Sequence, residues 1–319
     1  MQMKKFLLLL LVLTMLPFCM PASAELLESL PMNTTQSGPA PKDEYYLSNR
    51  EYQDESISVK ITEGRYAYTD YVCAHVKISH PSQLRTAPAT VVEWPQAAFL
   101  RNPPEADYRG RYVARAVNAV VAINGDFYTK TDTVQVVMRQ STQVRNVADG
   151  KSNLLIIDKN GDFSYLPNCS VNSYKAYYQE NKDNMYQVFC FGPMLVKDGV
   201  SVIDDKYLNT GIGSQKNTQR AAIAQLGPLE YMLVTCNSNQ VVNNKGLTIK
   251  EFAGLCEQLG KELSENGCML AYNLDGGNSS TLVFKDYMEE YDYWSYVKVN
   301  CPEIERFLAD IIYFATLVE

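Results

Sequence analysis

Ile57, Val59 and Ile61 alternate with polar neighbours, and Val72, Ala74, Val76 and Ile78 repeat the same period of two, so both segments read as half-buried strands. An apolar run from Ala119 to Ile123 reads as a strand that runs into Asn124-Gly125-Asp126-Phe127-Tyr128, and a helix is predicted before it, from Glu105 to about Val117. Three strand pairs follow. Leu154 to Asp158 and Phe163 to Leu166 flank Asn160-Gly161, a strong hairpin signal because both residue types accept positive φ. Tyr186 to Phe191 and Met194 to Val200 make a second pair, with Lys197-Asp198-Gly199 as a turn. Arg220 to Gln225 and Tyr231 to Cys236 make the third, joined through Gly227-Pro228. The clearest helix begins at Thr248, where Thr248 and Glu251 form a capping box, and Ile249, Phe252, Leu255, Cys256, Leu259 and Leu263 recur on one face. A strand from Met269 to Leu274 then ends in Asp275-Gly276-Gly277-Asn278-Ser279-Ser280. Hairpins in series with few helices predict an α+β fold: a large twisted mixed or antiparallel sheet flanked by helices, in a single domain.

Composition sets the setting. Of 319 residues 46% are hydrophobic and 20% charged, enough apolar material for a sizeable core. The net charge of -7, with no basic cluster beyond the first five residues, excludes nucleic acid as a partner, since phosphate neutralisation needs clustered Lys and Arg. Lys4 and Lys5, an apolar run from Phe6 to Leu16 and the small-x-small site Ala22-Ser23-Ala24 read as a cleaved secretory signal, so a secreted or cell-envelope-associated protein is expected. The expected division is 1–24 signal peptide, 25–55 flexible N-terminal segment and 56–319 folded domain, with no stable membrane span. Seven cysteines follow Cys19, an odd number, without a CxxC spacing, and the only histidines are His75 and His80. No structural zinc site or other metal is expected, and no cofactor. A disulfide between Cys169 and Cys190 is one option, and buried free thiols are the plainer one.

Two strands therefore stop at polar, glycine-containing corners, where a rigid scaffold presents side chains and bare backbone to a ligand. Around Gly276 and Gly277 the backbone N–H groups can turn towards an anion, Ser279 and Ser280 add hydroxyls, and Asp275 adds a carboxylate. The plainer alternative is a tight turn with helpful Asp and Ser side chains. Phe191-Gly192-Pro193 interrupts a strand, which marks a bend or a close backbone approach. Arg220 opens an apolar strand, where a guanidinium needs a carboxylate or phosphate partner unless it lies at a solvated edge. His75 lies among strand residues and reads as structural. Tyr45, Tyr46, Tyr287, Tyr291, Tyr293, Trp294 and Tyr296 are either core and rim material or rings that stack on sugars.

Taken in order, INGDFY, FGPMLVKDG, the strand from Arg220, GLTIKEFAGLCEQLG, NLDGGNSSTLVF and VNCPEIER resemble the phosphodiester glycosidase family over roughly residues 57 to 319. By that resemblance the family's NGGFF-like element falls on Asn124 to Tyr128, with Asp126 where glycine is frequent. The Gly-Pro corner falls on Gly192 and Pro193, the arginine on Arg220, and LDGG-x-SS on Leu274 to Ser280. The closing Asn-x-Pro and Arg fall on Asn300, Pro302 and Arg306. The resemblance implies a single catalytic domain and hydrolysis of a sugar from a sugar-1-phosphodiester, leaving a phosphate monoester. The expected roles are Asp275 as base or nucleophile, Asp126 as second carboxylate, and Asn124 and Ser279 orienting sugar or water. Arg220, Gly192, Gly276, Gly277, Ser279, Ser280, Asn300 and Arg306 are expected to bind substrate. The substrate is expected to be of N-acetylglucosamine type or a cell-envelope phosphoglycan. The alternatives are a non-catalytic carbohydrate- or envelope-binding protein with the same fold, and a structural surface protein.

Overall fold

The alternating segments pair as their period requires. In the computed structural model Ile57–Tyr66 and Thr69–Ile78 form an antiparallel hairpin, and Ile57, Val59, Ile61, Val72, Ala74, Val76 and Ile78 share one core. The structure describes residues 27–101, 103, 108–128, 135–204, 215–238, 244–284 and 306–319. Among them a nine-stranded sheet runs in the order Tyr46–Ser48, Glu51–Gln53, Ile57–Tyr66, Thr69–Ile78, Glu230–Cys236, Arg220–Gly227, Leu270–Asn273, Met194–Lys197 and Val200–Ser201. A five-stranded sheet orders Phe163–Ser170, Asp149–Asp158, Met185–Cys190, Val136–Arg139 and Thr142–Asn146. A four-stranded sheet orders Leu282–Phe284, Val121–Asn124, Asp310–Phe314 and Leu84–Pro88, and Phe307–Leu308 pairs with Tyr108–Arg109. Every described pairing between strands is antiparallel.

These sheets stack in layers because each has two apolar faces. One face of the large sheet packs on the two smaller sheets through residues such as Ile223, Leu233, Ile123, Leu155 and Ile312. Its other face, through Ala222, Ala224 and Val234, packs on a helix. Helix α1, Gly110–Ala116, covers the four-stranded sheet through Val113 and Ala114, and α2, Val171–Asn181, covers the five-stranded sheet through Tyr174. The helix on the large sheet is α3, Ile249–Leu263, which buries Ile249, Phe252, Leu255, Cys256 and Leu259. It starts where Thr248 Oγ1 accepts from Glu251 N and the Glu251 carboxylate accepts from Thr248 N, the reciprocal satisfaction of orphan donors that the sequence predicts. The Asn160-Gly161 turn also forms, with Gly161 at φ +87° and Ile157 opposite Phe163.

Three expectations change. Met185–Cys190 and Met194–Lys197 do not pair with each other. The first lies between Asp149–Asp158 and Val136–Arg139, and the second pairs with Leu270–Asn273 and with Val200–Ser201 across the Asp198-Gly199 turn. A period of two tells which face a residue takes and leaves the neighbouring strand open. The predicted helix from Glu105 is shorter, since Tyr108–Arg109 is drawn into a strand by Phe307–Leu308. The segment 25–55 is not a loose tether over its described residues. Tyr46–Ser48 and Glu51–Gln53 extend the large sheet, and buried Arg85 donates to Pro31 O (3.1 Å), Thr34 O (2.7 Å) and Gln36 O (2.9 Å). A buried guanidinium must find acceptors, and here backbone carbonyls of the N-terminal segment supply them. The cysteines follow the plainer reading: Cys169 and Cys190 are both free thiols, as are Cys73, Cys236, Cys256 and Cys268. The signal region, Asn300 and the aromatic residues from Tyr287 to Tyr296 lie outside the described residues. Among the described residues no helix is long and apolar enough to cross a membrane.

Candidate active site

The two polar corners lie side by side, and Asn124 joins them. Val121–Asn124 pairs with Leu282–Phe284, and the ladder continues through Asn124 N to Thr281 O (3.1 Å). The Asn124 side chain then accepts from Thr281 N (3.0 Å) and donates to Asp275 O (2.8 Å) and Gly125 O (3.0 Å). An amide side chain offers both donors and an acceptor, which suits a cross-link between two backbones. Asn124 thus holds the corners together, and its described bonds go to backbone atoms rather than out towards a ligand. Beside it opens a cleft of about 150 Å³, lined by residues 124–128, Asp275, Ser279 and residues 306–310.

The cleft floor is a buried charge cluster. Arg139 Nη2 donates to Asp126 Oδ1 (2.6 Å) and Asp310 Oδ2 (3.0 Å), and its Nε donates to Asp310 Oδ2 (3.1 Å), with no side chain in the cluster more than 1% exposed. The guanidinium also lies over the Phe189 ring, 4.2 Å from its centroid. Asp126 Oδ2 accepts from Cys190 N (2.7 Å), so both oxygens of Asp126 are occupied. One guanidinium against two carboxylates leaves an excess of negative charge. Burial, opposed by Arg139 and reinforced by Asp126 and Asp275, pushes the Asp310 carboxyl up to about 7. Its Oδ1 has no hydrogen-bond partner, and a Cβ on Gly125 would fall 2.2 Å from that oxygen, so only glycine fits between the cleft and Asp310.

Asp275 stands at the end of Leu270–Asn273, partly open to the cleft. Burial raises its pKa, while the Ser279 hydroxyl, the Arg306 guanidinium and the Gly276 N–H favour its ionised form, and Asp126 disfavours it. Arg306 Nη1 donates to Ser279 Oγ (3.4 Å), and Arg306 N donates to Asn278 O (3.3 Å). The cleft therefore offers one partly open carboxyl of raised proton affinity beside a guanidinium and a hydroxyl. That set can serve as base or nucleophile and hold an anion within the same small volume.

The family model of the phosphodiester glycosidases (NAGPA) matches residues 117–315. The chain belongs to this family. Among solved structures it is similar to the catalytic domain of zebrafish N-acetylglucosamine-1-phosphodiester alpha-N-acetylglucosaminidase, auto-inhibited by pro-peptide. The TM-score there is 0.55 at 13% identity, covering 91% of this chain and 98% of that one. It is also similar to a hypothetical protein from Synechocystis, with a TM-score of 0.51 at 15% identity over 81% of this chain and 62% of that one. These similarities establish a shared fold. No curated protein matches the chain.

Against the family pattern the predicted site residues divide. Asn124, Asp126, Asp275, Ser279 and Arg306 all meet at the cleft. Arg220 does not line it, since its side chain donates to Leu247 O (3.1 Å) and Lys216 O (2.9 Å). Along Arg220–Gly227 the even-numbered Ala222 and Ala224 pack into the α3 core, which directs Arg220 to the same side. Gly192, at φ +78° in a cis Gly192-Pro193 bond, is tied to Asn273, whose Nδ2 donates to Gly192 O (2.9 Å), and it too stays off the cleft lining. The expected amide nest is spent internally: Gly277 N donates to Gln219 O (3.0 Å), Ser279 N to Gly276 O (3.2 Å) and Ser280 N to Gly277 O (3.1 Å). Ser280 Oγ is buried without a partner. His75 is structural, with Nε2 2.7 Å from a Glu230 oxygen. Sequence reasoning missed Arg139 and Asp310. Their signal was a lone charge in each of two apolar runs, VVMRQ and LADIIYF, because a charge in a buried strand demands a partner. Among the described residues no group of three or more His, Cys, Asp or Glu side chains is arranged to hold a metal ion.

Proposed function

We propose that this protein is an exported glycosidase that hydrolyses a sugar from a sugar-1-phosphodiester, either of the N-acetylglucosamine type or within a cell-envelope phosphoglycan. The observation that carries the reading is the pairing, in one cleft of a phosphodiester glycosidase, of a partly open Asp275 with Arg306 and Ser279. A phosphate monoester has a second pKa near 6, so it leaves readily without a strong general acid. The site needs charge stabilisation and a base more than it needs proton donation, and that balance matches the residues present. Export follows from the signal-like N-terminus alone.

In this mechanism Arg306 and Ser279 hold the phosphodiester oxygens, and the bond between the anomeric carbon and the phosphate oxygen breaks with its electron pair going to the phosphate. Asp275 takes the proton of the attacking water, or attacks the anomeric carbon itself and yields to water in a second step. The net products are free sugar and phosphate monoester. Direct attack inverts the anomeric centre and the two-step route retains it, so NMR of the first-released anomer distinguishes them. Burial, by raising its pKa, makes Asp275 a stronger base than an ordinary surface carboxylate.

The test is incubation of the purified protein with alpha-N-acetylglucosamine 1-(methyl phosphate) and a panel of other glycosyl phosphodiesters. Wild type should release sugar and phosphate monoester, and Asp275→Asn should lose at least about 10³-fold in kcat, within the range for an essential base or nucleophile. Near-normal turnover by Asp275→Asn, or no release from any member of the panel, would overturn the proposal.

A further inference from the structure

Of the exposed aromatic side chains Tyr68, Trp94, Tyr112, Phe127, Phe191 and Phe307, Phe127 and Phe307 line the cleft. Phe127, directly after Asp126, is 39% exposed, and Phe307, directly after Arg306, is 52% exposed, and both line the cleft that holds Asp275. Elsewhere Tyr46 packs on Tyr52 and Phe284, and Phe163 on Tyr231. Among the described residues no such ring pair includes Phe127 or Phe307. A large apolar side chain left in water forgoes the stabilisation it would gain on burial, and a pair of them at a polar cleft marks a surface that is covered by something else.

The rest of the cleft states what that something must carry. Arg306 and Ser279 are placed for an anion, while Asp275 repels one from its own end. A ligand that satisfies both halves has a rigid apolar face joined directly to an anionic group. A pyranose ring presents such a face in its axial C–H groups, and a phosphodiester on its anomeric carbon supplies the anion. A glycerol phosphodiester has the anion without the rigid face, and a neutral glycoside has the face without the anion.

Building on the glycosidase reading, we infer that Phe127 and Phe307 form a ring-stacking subsite for the C–H face of a pyranose, separate from the anion subsite of Arg306 and Ser279. The anomeric carbon then lies between the two subsites, against Asp275. Phe127 and Phe307 set which sugar is accepted, and Arg306 sets that it be a phosphodiester.

The two products of hydrolysis read the two subsites independently. Saturation-transfer NMR and inhibition constants would be measured for methyl phosphate and for N-acetylglucosamine, glucose, galactose and mannose, on wild type, Phe127→Ala, Phe307→Ala, Phe307→Trp and Arg306→Gln. The expected result is that each alanine variant weakens the preferred sugar about 3- to 10-fold, the range for one aromatic contact. KM should rise by a similar factor and kcat stay within about threefold, with methyl phosphate binding unchanged and Phe307→Trp restoring sugar affinity. Arg306→Gln should show the reverse pattern, with weaker methyl phosphate and unchanged sugar. The inference fails if none of the four sugars binds wild type, if the alanine variants bind them as tightly as wild type, or if they weaken sugar and phosphate alike. Binding is read without turnover, so an inactive protein whose sugar affinity still depends on Phe127 and Phe307 would sink the glycosidase reading and keep the subsite. Turnover that is indifferent to both phenylalanines would do the opposite.

Discussion

Arg139 decides the charge balance under the cleft, since it is the guanidinium that Asp126 and Asp310 share. Removing one member of a buried ion pair leaves an uncompensated charge and typically costs about 3–5 kcal/mol. Arg139→Met should therefore lower the melting temperature sharply, whereas the double variant Arg139→Met, Asp310→Asn should recover part of the loss, which calorimetry would show. Asp310 also gives a pH signature whose sign is fixed. Its folded pKa, near 7, lies above the unfolded carboxylate value, so between about pH 4 and 7 the native state binds more protons than the unfolded one. Its contribution to stability consequently falls as pH rises through that window. Asp310→Asn should flatten that decline in denaturant midpoints measured from pH 4.5 to 7.5, and parallel curves for the two proteins would refute the assignment. At this scale Asp275 was readable because it ends a strand at a glycine corner. Arg139 and Asp310 were visible as isolated charges, but a sequence separation of 171 hid their partnership.

The elements most legible in the sequence were those whose signal and whose partner are both local. The capping box at Thr248, the Asn160-Gly161 hairpin and the strand pair from Arg220 and Tyr231 each form as read, because two or three neighbouring residues determine them. Thr248→Ala should cost about 1 kcal/mol, as loss of an N-cap does, and should be seen as a small fall in denaturant midpoint with an unchanged m-value. Glu251→Gln, which keeps an acceptor for Thr248 N, should cost less. The order of strands was not legible. Met185–Cys190 carries apolar residues that suit several neighbours, and in the structure it lies beside Asp149–Asp158, packs with Tyr174 of α2 and holds the Asp126 carboxylate, a partner 64 residues away. The cleft inherits that uncertainty. Its lining comes from the end of the four-stranded sheet and the corner after Leu270–Asn273 of the nine-stranded sheet, with Arg139 of the five-stranded sheet beneath, so no single stretch of chain describes it.

At the scale of the whole molecule the N-terminal segment is the element that composition describes least well. Its prolines, glycine and serines correctly indicate little regular structure before Asp43, yet the chain there is fastened. Leu30 N donates to Ser82 Oγ (3.1 Å), Asn118 Nδ2 donates to Gly38 O (3.0 Å), and Arg85 takes three carbonyls from Pro31, Thr34 and Gln36. The order comes from a buried cation some fifty residues away, whose own neighbourhood supplies only Ser82 O (3.2 Å), in the turn just before its strand. Hydrogen bonds to a charged group are each worth about 1.5–3 kcal/mol, although water replaces part of that when the segment is absent. A chain beginning at Asp43 should therefore melt several degrees below one beginning at Glu25, and Arg85→Met should also destabilise the longer chain. The decisive quantity is their coupling. If the segment is held through Arg85, the substitution should cost much less in the short chain than in the long one, giving a double-mutant interaction of at least about 1 kcal/mol. Additive losses would mean that the segment is held by its other contacts, and that Arg85 acts only within its own strand.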